Sequence, residues 1–424
     1  MKSTNTRWLD HFSPKNILNN YFWLITFTSF LNVLIGVGWL STLVLPLVIY
    51  ILLCKSKKNT QLTIFDFLWY LIFIWMLSTW LYNDYPNKGL LIARCLISQI
   101  AYMITYWLSR KSSYNIVSTI IEKAYWPLLL TSVVGIFCFF FKPGWYMNLI
   151  QIQIASKNHI VTEAEILELS RLRSIFDSPY TLSYFIAIVL IYDFYLIVNR
   201  MINTKISFIS VFVLIIALLL TMQRGPVISA IIGFVVAIIY GLLYLKYSRP
   251  ILMLGIFTII VTIGTPIFIS SMNKSSANYF TKKVLSVTSN SNNYATERLY
   301  LEKNDLNLTF DFWGDGVGRH DLFADRYNKG TSIRDGEYMK MMKEQGYVGM
   351  SLFLLMTMLA LVKCVKNFKY LSFEFCIVVM LLLCMIGANP LSTGDKHSII
   401  FWMVFGQISK FRNGNKIISY YRNL

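Results

Sequence analysis

The residues of this chain that could do chemistry are arginines and carboxylates set at the ends of long apolar runs. Arg224 stands in TMQRGP, a very short connection between two such runs. A guanidinium held there can grip phosphate oxygens through its planar fork, or it can snorkel to lipid headgroups. Arg171 and Arg173 lie in RLRSIFDSPY, just before another apolar run, and Arg298 lies in ATERLYLEKNDL. Taken singly, these three read as ordinary surface-helix residues. GDGVGRHDLF (314–323) and IRDGEYMKMMKEQGYVGMSLF (333–353) form the fourth signal. Gly314, Gly316 and Gly318 permit a tight turn, and Asp335 and Glu337 precede a helix. A carboxylate at that place can act as a general base toward a hydroxyl or can cap the helix. Residue type leaves both roles open.

The elements that position these groups follow from composition. Of 424 residues, 56% are hydrophobic and 14% charged, with a mean hydropathy of +0.54. Soluble domains carry about 25% charged residues, so that class is excluded, as are disorder and a disulfide scaffold. Runs able to cross about 30 Å of hydrocarbon recur throughout. They are 21–37, 39–54, 62–82, 89–109, 125–141, 180–199, 205–222, 227–245, 251–271, 346–363, 370–388 and 397–411. The expected fold is therefore an all-α polytopic membrane protein with about twelve spans. Residues 1–271 hold spans one to nine, 272–345 form a large, partly helical extracytoplasmic loop, and 346–424 hold spans ten to twelve. The first span follows a basic leader without a small-x-small cleavage site and reads as a retained helix.

Charge sets the orientation. The net charge is +18. Twenty Lys and Arg fall in the termini and even-numbered loops, against three in the short odd-numbered loops. The positive-inside rule then places both termini in the cytoplasm. The loop 272–345, with 11 basic and 10 acidic residues, and the loop 142–179 lie on the other face. Long polar loops on one face of a membrane protein are usually functional. The excess cations thus report topology, and the informative ones are the few on the outer side.

Other classes gain no support. The six cysteines lie in or at the ends of spans, so no outer disulfide is expected, and no metal-type Cys/His spacing exists. No Walker A loop, GxGxxG or Asp-x-Asp pair occurs. His159, His320 and His397 read as boundary residues. Asp66, Arg94, Asp193 and Glu374 lie within apolar spans but form no ladder across the membrane, which argues against an ion path. Asp66 and Glu374 are expected to be solvated or paired at cytoplasmic ends, and Asp193 has no assigned role.

The order RLRSIFDSP, TMQRGPVISAIIGF, ATERLYLEKNDL, then GDGVGRHD with RDGEYMKMMKEQGYVG, resembles the O-antigen polymerase and ligase family of bacterial surface-polysaccharide synthesis. The resemblance covers roughly residues 165–365, and the span number and late outer loop match as well. It implies a glycosyltransferase of the bacterial inner membrane whose donor is an oligosaccharide on undecaprenyl pyrophosphate. By position, Arg224, Arg298 and Arg171, with Arg173 as close competitor, would hold the pyrophosphate. Arg94, Arg334 and His320 stand as supporting residues. Ligases carry a His-Asn pair where Asp335-Gly336 stands, eleven residues before Gly346. The histidine base is therefore missing, Asp335 or Glu337 would serve, and the balance moves toward polymerase. The resemblance implies no cofactor, metal or nucleic acid. Membrane lipid and a chain-length-regulating co-polymerase are the implied partners. The rival within the class is a ligase acting on a lipid core or a protein. The rival from another class is a transporter, which predicts two similar halves and broken helices meeting at the midplane.

Overall fold

In a computed structural model the described residues are 61–112, 116–148, 150, 171–174, 176, 178–198, 204–245, 312–321, 333, 336–387, 389–391 and 397–411. Among them the chain is helical, with no strand. The helices are α1 (Ile64–Tyr82), α2 (Lys88–Lys111), α3 (Ile116–Phe141), α4 (Pro179–Val198), α5 (Thr204–Leu220), α6 (Arg224–Tyr240), α7 (Glu337–Lys366), α8 (Phe368–Gly387) and α9 (Ser398–Lys410). A π-helical turn, Gly241–Leu245, extends α6. Seven of these are long and apolar enough to cross a membrane, with α5 and α9 shorter. The protein is a membrane protein, all-helical among the described residues. The expected spans 21–37, 39–54 and 251–271 lie outside the described residues, as do both termini.

Each described helix covers an expected span, and two, α3 and α7, start nine residues earlier than apolarity indicates. α3 begins at Ile116 rather than at 125 because Tyr192 donates to Glu122 at 2.7 Å and Tyr125 donates to Ser210, so polar groups are satisfied inside the bundle. Lys123 therefore sits on a helix rather than in a loop. Pro127 is accommodated within α3, as membrane helices allow. α7 begins at Glu337 rather than at 346, nine residues inside the expected outer loop.

The helices fall into two compact units. One contains α1, α2, the first turn of α3, α7, α8, α9 and the segment 312–321. Its densest contact is α2 against α9, where Gly406 lets the backbones close: a Cβ there would lie 3.0 Å from the Ser109 Cβ. Small residues at such crossings are the usual route to tight packing in lipid. Beside it, Trp69 stacks on Trp402 with centroids 4.6 Å apart.

The two ends of this unit differ in chemistry. At one end Arg110 pairs with the buried Asp66. Tyr106 donates to Asp66 at 2.7 Å, Lys363 donates to the Ser409 carbonyl at 3.1 Å and Lys410 to the Ser112 carbonyl at 3.0 Å. Asp66 is thus paired, as expected, and it also closes a capping box with Thr63. At the other end Asn83 donates to the Gly314 carbonyl at 2.9 Å, Tyr85 donates to the Val317 carbonyl at 2.7 Å, and the Leu391 N–H donates to Glu337. Within this unit Arg110, Lys363 and Lys410 thus lie at one end, and Asn83, Tyr85 and Glu337 at the other.

The second unit holds the rest of α3 with α4, α5 and α6. α4 is buried from Leu182 to Leu196. It crosses α6 at Gly233, where a Cβ would press on Ile191. Asp193 lies within α4, 2% exposed, and neither of its carboxyl oxygens has a hydrogen-bond partner.

Candidate functional site

Three of the expected pyrophosphate-binding arginines gather in the second unit. The Leu172 N–H donates to the Leu220 carbonyl at 3.0 Å, which ties the RLR segment to the C-terminal end of α5. A turn through Thr221 and Met222, with Met222 at φ 55°, then leads to α6, whose first residue is Arg224. Arg171 and Arg224 are half-buried, and Arg173 is 1% exposed. The next residue, Ser174, donates to the Thr131 carbonyl at 2.7 Å. Gly135 provides the room, since a Cβ there would lie 2.9 Å from the Ser174 Cβ.

The electrostatics of this place favour an anion. The first turn of α6 holds no acid, so the dipole of the helix start adds to the arginines. Burial pushes the Tyr146 phenol up to about 12, while the nearby Arg173 guanidinium pulls it down.

The carboxylate candidate lies in the first unit. Glu337 opens α7, is buried, accepts the Leu391 N–H at 3.1 Å and lies 3.8 Å from Lys340. Around it the chain is clamped: Asn389 accepts from the Gly336 N–H at 3.1 Å and donates to the Ile333 carbonyl at 2.8 Å. The Ile333 N–H in turn donates to the His320 carbonyl at 3.0 Å. Asp335 and Arg334, between these fixed points, lie outside the described residues, as does Arg298. Arg94 is half-buried on α2, next to Cys95, against which Gly318 packs. His320 is buried, with Nε2 3.1 Å from Asp315 Oδ2 and its backbone N–H on Glu344 at 2.9 Å. Among the described residues no group of three His, Cys, Asp or Glu side chains is placed to hold a metal ion.

The sequence reading missed the ionic network in which Glu337 sits. Lys343 lies 3.3 Å from Asp315, and Lys340 lies 3.8 Å from both Asp321 and Glu337. Glu344 completes the network, and all of these except Asp315 are buried. The signal was present as KMMKEQG, a run of charges abutting an apolar span without an intervening loop. Burial pushes the Asp315 carboxyl up, but the His320 hydrogen bond and the Lys343 ammonium outweigh it and hold the group below its ordinary value. No protein-family model and no curated protein matches the chain. The resemblance to polymerases and ligases therefore rests on motif order and span layout.

The Asp315 geometry sets a pH dependence. A carboxyl whose pKa is lower folded than unfolded contributes stability above its unfolded value, about 3.9. That contribution is lost as pH falls through the folded value. The melting-temperature gap between wild type and Asp315→Asn should be constant from pH 7 to 5 and close below about pH 4. A gap unchanged at pH 3 would remove the ionised form of Asp315 from the clamp.

Proposed function

We propose that the protein polymerises oligosaccharide repeat units carried on undecaprenyl pyrophosphate, at the extracytoplasmic face of a bacterial inner membrane. The observation that carries this reading is the Leu172–Leu220 hydrogen bond, which sets Arg171 and Arg173 beside the turn that opens the helix of Arg224. Backbone segments from distant parts of the chain thus bring arginine positions to one helix start. Bidentate donors of this kind suit a pyrophosphate.

The reaction breaks the bond from sugar C1 to the pyrophosphate oxygen and forms one from C1 to an acceptor hydroxyl oxygen. Negative charge grows on the departing pyrophosphate, and Arg224, Arg171, Arg173 and Arg298 stabilise it. The acceptor's proton passes to a carboxylate. Glu337 is turned inward to Lys340 and the Leu391 amide, so we assign the base to Asp335 and give Glu337 the task of holding that segment. The pyrophosphate linkage supplies the driving force. The lipid-facing apolar helices accommodate the prenyl chain.

The test deletes the gene in its host and resolves surface glycan on a gel. The expected result is loss of the long ladder with single repeat units still attached to their final acceptor. Repeat units accumulating off that acceptor would instead mark a ligase. A normal ladder in the deletion strain would overturn the assignment. Complementation with Asp335→Ala should fail to restore the ladder, and full restoration would remove Asp335 as the base.

A further inference from the structure

Asp193 is a buried acid for which the proposed reaction has no use. It stands on α4, which runs from Pro179 to Val198, and a rise of 1.5 Å per residue puts it about 21 Å along that helix. The position is inside the apolar span, at the end away from the arginines. α4 is the most enclosed of the described spanning helices, with 89% of its apolar window buried. Asp193 itself is 2% exposed, and neither carboxyl oxygen has a hydrogen-bond partner. Its side chain is too short to reach the headgroups as a lysine or arginine does.

The polar groups on the helices packed against α4 are engaged elsewhere. On α3, Tyr125 feels the charge of Asp193, but its hydroxyl donates to Ser210 of α5. Glu122 accepts from Tyr192 at 2.7 Å, and Lys123 is exposed. On α6, Tyr240 packs against Tyr195 with ring centroids 5.7 Å apart, and Arg224 opens the opposite end of that helix. The titratable residue of α5 is Lys205, in its first turn. Among the described side chains none is hydrogen-bonded to Asp193. An ionised carboxylate without cation or donors bears the full cost of dehydration in such surroundings, and the neutral acid does not.

We propose that Asp193 is a proton-binding site, whose neutral carboxylic acid is the form packed inside the second unit at neutral pH. The proton lets α3, α5 and α6 enclose α4 without a counter-ion. Withdrawing it would leave a bare charge among these helices, so the packing of the second unit is tied to the proton. The site is independent of the pyrophosphate reading, since it requires none of Arg171, Arg173, Arg224 or Arg298.

The test uses the full chain in lipid nanodiscs at neutral pH, read by infrared spectroscopy, with and without aspartate carrying carbon-13 in its side-chain carboxyl. The parent should show a protonated-carboxyl C=O band that moves to lower frequency on labelling, which marks it as an aspartic acid. Asp193→Asn, a neutral side chain of the same shape, should lose that band and melt no lower than the parent. Asp193→Glu keeps a carboxyl at the site, so its band should remain and stop responding to the aspartate label. A parent without a label-sensitive band overturns the proposal. So does a label-sensitive band that persists in full in either variant.

Discussion

Arg224→Ala is expected to lower the rate of polymer formation by about 10²–10³, a barrier increase of about 2.7–4 kcal/mol, while the protein stays folded in the membrane. The size of the effect follows from the proposed reaction. Charge on the leaving pyrophosphate grows during the reaction, so a donor aimed there acts more on the transition state than on the bound substrate. Retention of the fold follows from position. Arg224 is the first residue of α6 and half-buried, and alanine is at least as good a helix former.

Arg224→Lys should recover only part of the rate, because an ammonium is a point charge without the planar fork. Arg173→Ala makes a useful contrast. Arg173 is 1% exposed, so its removal should lower stability and rate together. The measurement is ladder formation by membranes carrying each variant at matched protein levels. A wild-type rate for Arg224→Ala would detach this arginine from the reaction.

The apolar spans were legible because nothing but a buried helix accommodates them, and each of the nine described helices lies where hydropathy places one. The helix starts at Ile116 and Glu337 were not, because hydropathy is blind to polar residues that become satisfied inside a bundle. Glu122 carries no apolar signal, and only the structure shows that Tyr192 donates to it. The arginines were legible by type and motif order. Their gathering was not, since it depends on one backbone hydrogen bond between Leu172 and Leu220 that no local spacing encodes. The three glycines of GDGVG were read correctly as a turn: all three have positive φ. What the turn is for lay beyond the sequence, because its partner is an interruption in α7 rather than a ligand.

That interruption carries the second large effect. Gly346 breaks α7 at φ 66°, ψ −171°, a region open essentially to glycine alone. The break deprives the carbonyls just before it of their helical donors, and buried carbonyls need replacements. The Asp315 N–H takes the Lys343 carbonyl at 2.7 Å, the Gly316 N–H takes the Glu344 carbonyl at 3.1 Å, and the Trp75 indole takes the Gln345 carbonyl at 2.8 Å. Backbone contact this close leaves no room for a side chain: a Cβ on Gly346 would lie 2.7 Å from the Gly314 nitrogen.

Gly346→Ala should therefore cost about 1–3 kcal/mol in backbone strain and about 1–3 kcal/mol in overpacking, and release the segment 312–321 from α7. Thermal unfolding in detergent should show a large fall in melting temperature. Loss of the Trp75–Trp313 stack, with centroids 5.4 Å apart, should change tryptophan emission before the global transition. Gly89→Ala is the control, because Gly89 lies in α2 with nothing within 4 Å of an added Cβ, and it should leave both signals unchanged. If Gly346→Ala melts with this control, the docking of GDGVG does not depend on the break. The ionic network that holds Glu337 would then need a support other than the α7 carbonyls.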